Sequence, residues 1–167
     1  MYLILFRHGP AGDRIEYAKT HADDSKRELT DDGQKVTRKA AKGLAKLIKG
    51  DCEIYSSPYV RTKQTAEILK SKLKAAGDIV YTDSLTHERD PEDFAQILSS
   101  LKSEFVVAVG HEPHLSSLAS FLVYGDKTPY KLKLKKSGAL AIRFGTDITD
   151  RDQVEFLWLM TPAQLKK

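Results

Sequence analysis

Met1-Tyr2-Leu3-Ile4-Leu5-Phe6-Arg7-His8-Gly9-Pro10 is the stretch from which the rest of the chain can be read. Tyr2 to Phe6 is an uninterrupted apolar run that includes aromatic and β-branched residues. It fits a short strand buried on both faces, as in a sheet covered by helices on its two sides. Gly9 and Pro10 stop the strand and begin a loop. Such a strand delivers Arg7 and His8 together to one edge of the sheet, beside a glycine that lets the backbone approach a ligand closely.

Working outward, the 167 residues with 41% hydrophobic content are enough for one domain, 1–167, with its own core. The apolar start has no cleavage region, so no signal peptide is expected, and no apolar run has the length of a membrane span. A lone cysteine, Cys52, cannot form an internal disulfide and reads as a small buried residue. These features suggest a cytoplasmic protein. The net charge of +4 favours anionic ligands only weakly. The one dense basic run, Lys131 to Lys136, falls short of a nucleic-acid patch. As a strand it would turn Lys131, Lys133 and Lys135 to one side and Leu132 and Leu134 to the other, either as a face for an acidic partner or as a solvated edge.

Along the chain, Ala11 to Glu28 is polar and reads as a surface loop with some helix. Thr30, Asp31 and Asp32 open a helix as a cap followed by first-turn acids, with Val36, Ala40, Leu44 and Leu47 as its apolar stripe and Gly50 after it. Cys52 to Ser56 is a second strand. Ser57-Pro58 interrupts, and Tyr59 to Ala76 is a second helix with Thr62, Ala66, Leu69 and Leu73 inward and Gly77 as its stop. Ile79 to Tyr81 is a short strand. Asp90-Pro91-Glu92-Asp93 opens a third helix. Glu104 to Val109 is a buried strand, followed by a helix carrying Leu115, Leu118, Ala119 and Leu122 that closes near Gly125. Ala139 to Phe144 and Val154 to Met160 suit a closing hairpin, and Thr161 to Lys167 a polar tail. Strands alternating with helices predict a three-layer α/β/α sandwich around a mostly parallel sheet with an antiparallel edge.

In such a sheet the C-terminal strand ends share one rim, where ligands bind. Three of those ends carry chemistry: Arg7 and His8, then Ser57 and Arg61, then His111. Two arginines and two histidines suit a phosphoryl group. The guanidinium fork matches phosphate oxygens, and Arg61 falls near a helix N-terminus that adds positive potential. A histidine whose second nitrogen is held by a carbonyl can act as a nucleophile near neutral pH. His21, His87 and His114 carry weaker signals. A metal site is the rival reading, but the chain lacks compact metal-ligand spacing and two arginines would oppose a cation, so metal-free chemistry is expected.

Arg7-His8-Gly9, Ser56-Ser57-Pro58-Tyr59-Val60-Arg61-Thr62-Lys63-Gln64-Thr65-Ala66 and Gly110-His111 resemble the motifs of the histidine phosphatase superfamily, the phosphoglycerate mutase-like fold. Leu29-Thr30 with Gly33, the closing Trp158-Leu159-Met160-Thr161-Pro162 and the short length are similar to its small SixA branch, the protein phosphohistidine phosphatases. The resemblance implies a compact domain without large insertions and no cofactor. His8 would be the nucleophile, and Arg7, Arg61 and His111 would bind the phosphoryl oxygens, with Ser57 at the pocket edge. Many members use a carboxylic acid to protonate the leaving group, and Glu88 is the candidate here. A phosphohistidine-bearing signalling or phosphotransfer protein is the expected partner, with phosphate or another small anion in the pocket, no nucleic acid or membrane, and a monomer as the expected state. The alternatives are a phosphomonoesterase acting on a sugar or nucleotide phosphate, and a phosphate-binding adaptor without turnover.

Overall fold

The computed structural model describes residues 1–73, 75, 77–128, 132–146 and 150–167. Among these residues, six strands form one sheet in the order β3-β2-β4-β1-β5-β6. They are β1 (Tyr2–Arg7), β2 (Cys52–Ser56), β3 (Val80–Tyr81), β4 (Phe105–Gly110), β5 (Ala139–Phe144) and β6 (Val154–Met160). The β1–β4, β2–β4 and β2–β3 pairs are parallel, whereas β5 and β6 add an antiparallel edge. The helices are α1 (Arg14–Ala18), α2 (Asp31–Leu44), α3 (Val60–Lys70), α4 (Pro91–Ser99), α5 (His114–Tyr124) and α6 (Pro162–Leu165).

The first strand shows why both faces are covered. Leu3 and Leu5 enter a core with Phe94, Leu98, Leu115 and Leu118 of α4 and α5. Ile4 and Phe6 enter the opposite core with Ala40, Leu44, Ala66 and Leu69 of α2 and α3. The two-residue period of the strand therefore sends alternate side chains into two layers, giving the expected α/β/α sandwich.

The predicted helix starts hold. The Thr30 hydroxyl accepts the Gly33 N–H at 3.0 Å, and the Asp90 carboxylate accepts the Glu92 N–H at 2.9 Å with Pro91 in the first turn. Each such cap contributes about 1 kcal/mol. Gly125, at φ 75°, closes α5 in the left-handed region.

Several boundaries and faces differ from expectation. Val36 and Leu47 are 36% and 44% exposed, and α2 instead buries Gly33, Thr37, Ala40, Ala41, Gly43 and Leu44. A polar residue can take the inner position because the Thr37 hydroxyl donates to the Gly33 carbonyl at 2.7 Å and meets Ser137 Oγ at 2.8 Å. The glycines are there because other segments cross the helix closely. A Cβ on Gly33 would lie 1.9 Å from the Pro10 carbonyl oxygen, and one on Gly43 would lie 1.5 Å from that of Leu165.

The helix α3 ends at Lys70 rather than Ala76, because the chain turns there and Ala75 bridges to Cys52; Ala76 itself lies outside the described residues. Ile79 is outside β3. The end of the chain, expected as a polar tail, forms α6: Thr161 and Gln164 make a reciprocal capping box and Leu165 is buried against the core. Lys131 lies outside the described residues, and 132–135 form no strand, yet Leu134 is buried while Lys133 and Lys135 are exposed. No helix among the described residues is long and apolar enough to cross a membrane.

Candidate active site

Strand register brings the predicted residues together. The strands β2, β4 and β1 are neighbours, with Ser56 opposite Val109 and Arg7 opposite Gly110, so all three end at the same rim. Hydrogen bonding continues past the strands: the Ser57 N–H donates to the Val109 carbonyl at 3.0 Å and the His8 N–H to the Gly110 carbonyl at 3.1 Å. The next residues, His8, Ser57 and His111, are thereby placed side by side. The His8 loop is pinned from outside as well. The Ser137 N–H donates to the carbonyls of Arg7 and His8, and the Gly9 N–H donates to Thr65 Oγ1 at 3.1 Å.

The result is a cleft of about 490 Å³ lined by Arg7, His8, Arg61 and His111 among others. His8 is 6% exposed. Its Nδ1 lies 2.7 Å from the Gly9 carbonyl. A carbonyl can only accept, so Nδ1 carries the hydrogen and the Nε2 lone pair is free. Burial, opposed by that hydrogen bond and reinforced by Arg61, Arg7 and Lys136, lowers the His8 pKa to about 3. The ring is therefore neutral at physiological pH.

The His111 ring lies 5.2 Å from that of His8, centroid to centroid. Its Nε2 is 2.9 Å from Ser57 Oγ, while Nδ1 is buried with no partner among the described residues. Burial lowers its pKa to about 2, with Arg61 and the neighbouring histidines adding to the effect. Arg7 reaches the Leu134 carbonyl through Nη1 at 2.8 Å. Arg61, in the first turn of α3, is held by the main-chain carbonyl of Asp24 at 2.8 Å and by its carboxylate at 3.2 Å. Nε of both arginines has no partner among the described residues, so each guanidinium keeps a donor unspent.

Glu88 stands apart from the lining residues, with its side chain 54% exposed. It accepts the Tyr59 hydroxyl at 2.5 Å and lies 3.2 Å from His87 Nε2. Burial works against its charge, but the Tyr59 hydroxyl and His87 outweigh it and leave the carboxyl below its usual range. Its neighbour His87 is the residue that lines the cleft, with its ring 5.6 Å from His111. His114 sits buried at the start of α5 and outside the lining, and His21 is exposed and stacked on Tyr17.

The segment read as a surface loop, Ala11 to Glu28, supplies much of the cleft wall. Ala11, Gly12, Asp13, Arg14, Asp24 and Arg27 all line it. Arg27 is buried, donating to Asp24 at 2.8 Å and to the Gly12 carbonyl at 2.7 Å. Burial raises the Asp24 pKa, but Arg27 and Arg61 overcome this and hold the carboxyl below its usual range. The mixed Asp and Arg content was the available signal. Partner choice was not, because Arg61 lies 37 positions from Asp24.

Chemically, the arrangement presents a neutral imidazole nitrogen among guanidinium groups at the end of a helix, suited to an oxyanion that accepts bonds from several directions.

Comparison with known proteins agrees. The model of the histidine phosphatase superfamily (branch 1) matches residues 3–114. An uncharacterized protein from Picosynechococcus sp. is 32% identical over 164 residues, covering 96% of each chain. A structure of the protein histidine phosphatase SixA complexed with tungstate superimposes with a TM-score of 0.82 at 25% identity, covering 99% of each chain. A phosphoserine phosphatase from Entamoeba histolytica, solved with 3-phosphoglyceric acid, has the same fold at TM-score 0.68 and 15% identity, covering 98% of each chain. The chain belongs to the histidine phosphatase superfamily, in its compact SixA-like form, and has the fold and the histidine–arginine cluster of a hydrolase of that type.

Proposed function

We propose that the protein hydrolyses phosphohistidine on a protein substrate through a phosphohistidine intermediate on His8. The observation that carries this reading is the bond from His8 Nδ1 to the Gly9 carbonyl, which leaves Nε2 unprotonated inside a cationic cleft. The name of the SixA structure, a protein histidine phosphatase, supports the substrate class.

His8 Nε2 attacks phosphorus, a new N–P bond forms and the substrate's P–N bond breaks. The departing imidazole, protonated on its other ring nitrogen, retains the bonding electron pair and leaves neutral, while His8, with Nδ1–H, becomes the phosphoimidazolium. Arg7, Arg61 and His111 hold the equatorial oxygens, where positioned donors stabilise the charge of the transition state. Water then attacks the phosphoryl group on His8, releasing inorganic phosphate and restoring the neutral ring.

The carboxylates around the cleft favour an easy leaving group. Asp24 is ion-paired, Asp13 caps α1, Glu112 accepts from Ser116 and the Leu134 N–H, and Glu88 is tied to Tyr59. An alkoxide leaving group needs a proton donor, whereas imidazole leaves with much less help. This same set argues against Glu88 as the acid and against sugar phosphates as the main substrates.

The test compares turnover of a phosphohistidine protein, p-nitrophenyl phosphate and sugar phosphates by the wild type and by His8→Ala. The phosphohistidine protein should lead in kcat/KM by at least about tenfold over the sugar phosphates, and His8→Ala should lose roughly 10³-fold or more. A sugar phosphate turned over far faster than the phosphohistidine protein would overturn the substrate class. Activity surviving in His8→Ala would remove His8 as nucleophile.

A further inference from the structure

Among the described residues, five cationic side chains line the cleft: Arg7, Arg14, Arg27, Arg61 and Lys136. Three are engaged by the protein. Arg7 bonds to Leu134, Arg61 to Asp24, and Arg27 to Asp24 and Gly12. The other two are on different segments. Arg14 begins α1, after β1, and Lys136 sits in the turn that leads into β5, which the Gly138 N–H closes on the Lys135 carbonyl at 2.8 Å. Both are exposed, and neither has a hydrogen bond or ion pair among the described residues.

Lys136 is also crowded by its own kind. Partial burial works against its charge first, Arg7, Arg27 and Arg61 add to that, and Asp13 opposes them. Asp13 is itself occupied in capping α1, accepting the Ile15 and Glu16 N–H groups at 2.9 and 3.0 Å. Arg14 acts on the charges of Arg61 and Asp24, and Asp24 is shared between Arg27 and Arg61. Like charges gathered in a partly dry cleft repel one another, and an arriving anion relieves that repulsion. One phosphoryl group on His8 is already served by Arg7 and Arg61. A cleft of about 490 Å³ also has room for more than a phosphoryl group.

We infer that Arg14 and Lys136 form a second anion subsite at the mouth of the cleft, which recognises an aspartate or glutamate side chain beside the phosphorylated histidine of the substrate protein. This deepens the phosphohistidine reading and rests on it for the identity of the substrate. Lys133 and Lys135, exposed on the segment that leads into Lys136, extend the positive rim outward and favour the same kind of partner.

The experiment uses two phosphohistidine peptides that differ only in a glutamate or glutamine beside the phosphorylated residue, with wild type and the double variant Arg14→Gln/Lys136→Gln. The ratio of kcat/KM for the two peptides is taken within each protein, so a general change in activity cancels. Wild type should prefer the glutamate peptide roughly five- to tenfold, and the variant should lose most of that preference. A wild type indifferent to the glutamate, or a variant that keeps the full preference, overturns the subsite.

A second arm does not depend on phosphohistidine: competition by phosphoglycolate and by inorganic phosphate against p-nitrophenyl phosphate turnover. Phosphoglycolate should bind more tightly than phosphate to wild type, and the gap should close in the variant. If it does so while neither peptide is hydrolysed, the subsite stands and the phosphohistidine reading falls. Inhibition by a nucleic-acid oligomer stronger than by a glutamate-rich peptide would overturn the assignment to an acidic protein.

Discussion

Asp24 Oδ2 lies 3.2 Å from Arg61 Nη2, and the Asp24 carbonyl accepts a hydrogen bond from Arg61 Nη1 at 2.8 Å. The same carboxylate accepts Arg27 Nε at 2.8 Å. One acid therefore keeps two buried guanidinium groups in place at the cleft, and removing its charge leaves them facing each other. Asp24→Asn should destabilise the protein by about 1–3 kcal/mol in urea unfolding, since an unpaired buried charge is costly. Added phosphate should recover more of the melting temperature in the variant than it adds in wild type. Equal phosphate-induced shifts would show that Asp24 does not balance the pocket charge.

The two neutral histidines give a pH dependence to anion binding. With His8 and His111 lowered to about 3 and about 2, an anion placed beside them raises both values and draws in protons. Sulfate, which does not titrate in this range, should bind more tightly at pH 5.5 than at pH 7.5. Calorimetry in buffers of different ionisation enthalpy should show net proton uptake on binding. Affinity independent of pH with no uptake would mean that neither ring changes state.

The same shifts set an acid sensitivity of the fold. A histidine with a lowered folded pKa is neutral in the native state while its unfolded counterpart takes up a proton below its ordinary value near 6.5. The unfolded state then binds more protons, so stability falls as pH drops from about 6.5 toward the folded values of about 3 and about 2. Urea midpoints measured at pH 7, 6 and 5 should decline steadily, and His111→Gln should decline less. This window opens above the range where the ion-paired carboxyls, such as Asp24, begin to lose their contribution.

Gly33 couples α2 to the loop after His8. A Cβ there would meet the Pro10 carbonyl oxygen at 1.9 Å, and that oxygen accepts the Thr30 N–H at 3.1 Å. Gly33→Ala must push Pro10 away and with it the chain leading from His8. We expect a loss of about 2–4 kcal/mol by urea unfolding, together with weaker phosphate binding. An unchanged stability would show that the crossing can relax freely.

Ser57 is the polar contact of His111, at 2.9 Å from Nε2, and is fully buried. In Ser57→Ala both ring nitrogens of His111 would lack a partner among the described residues, since Nδ1 already has none there. Steady-state assays should show kcat/KM reduced roughly tenfold, with His8 phosphorylation still detectable. A wild-type rate would remove Ser57 from the working site.

The layers and the central cluster follow from short-range patterns in the amino-acid sequence. An all-apolar strand ending in Arg7-His8, caps at Thr30 and Asp90, and the α3 stripe of Thr62, Ala66 and Leu69 are local signals, because strand period, capping and helical spacing act over a few residues. Parallel pairing then aligned His8, Ser57 and His111 at one rim, as strand-end logic requires. The rest came from contacts between distant parts of the chain. Thr37 displaced Val36 from the core because its hydroxyl found Gly33 and the distant Ser137. The Asp24 and Arg27 pair left the surface because Arg61 completed it across the chain. Glu88 turned to Tyr59 and left His87 facing the cleft, and Leu165 made a helix of the expected tail. Each depends on a partner far away in sequence, and local periodicity carries no record of such partners.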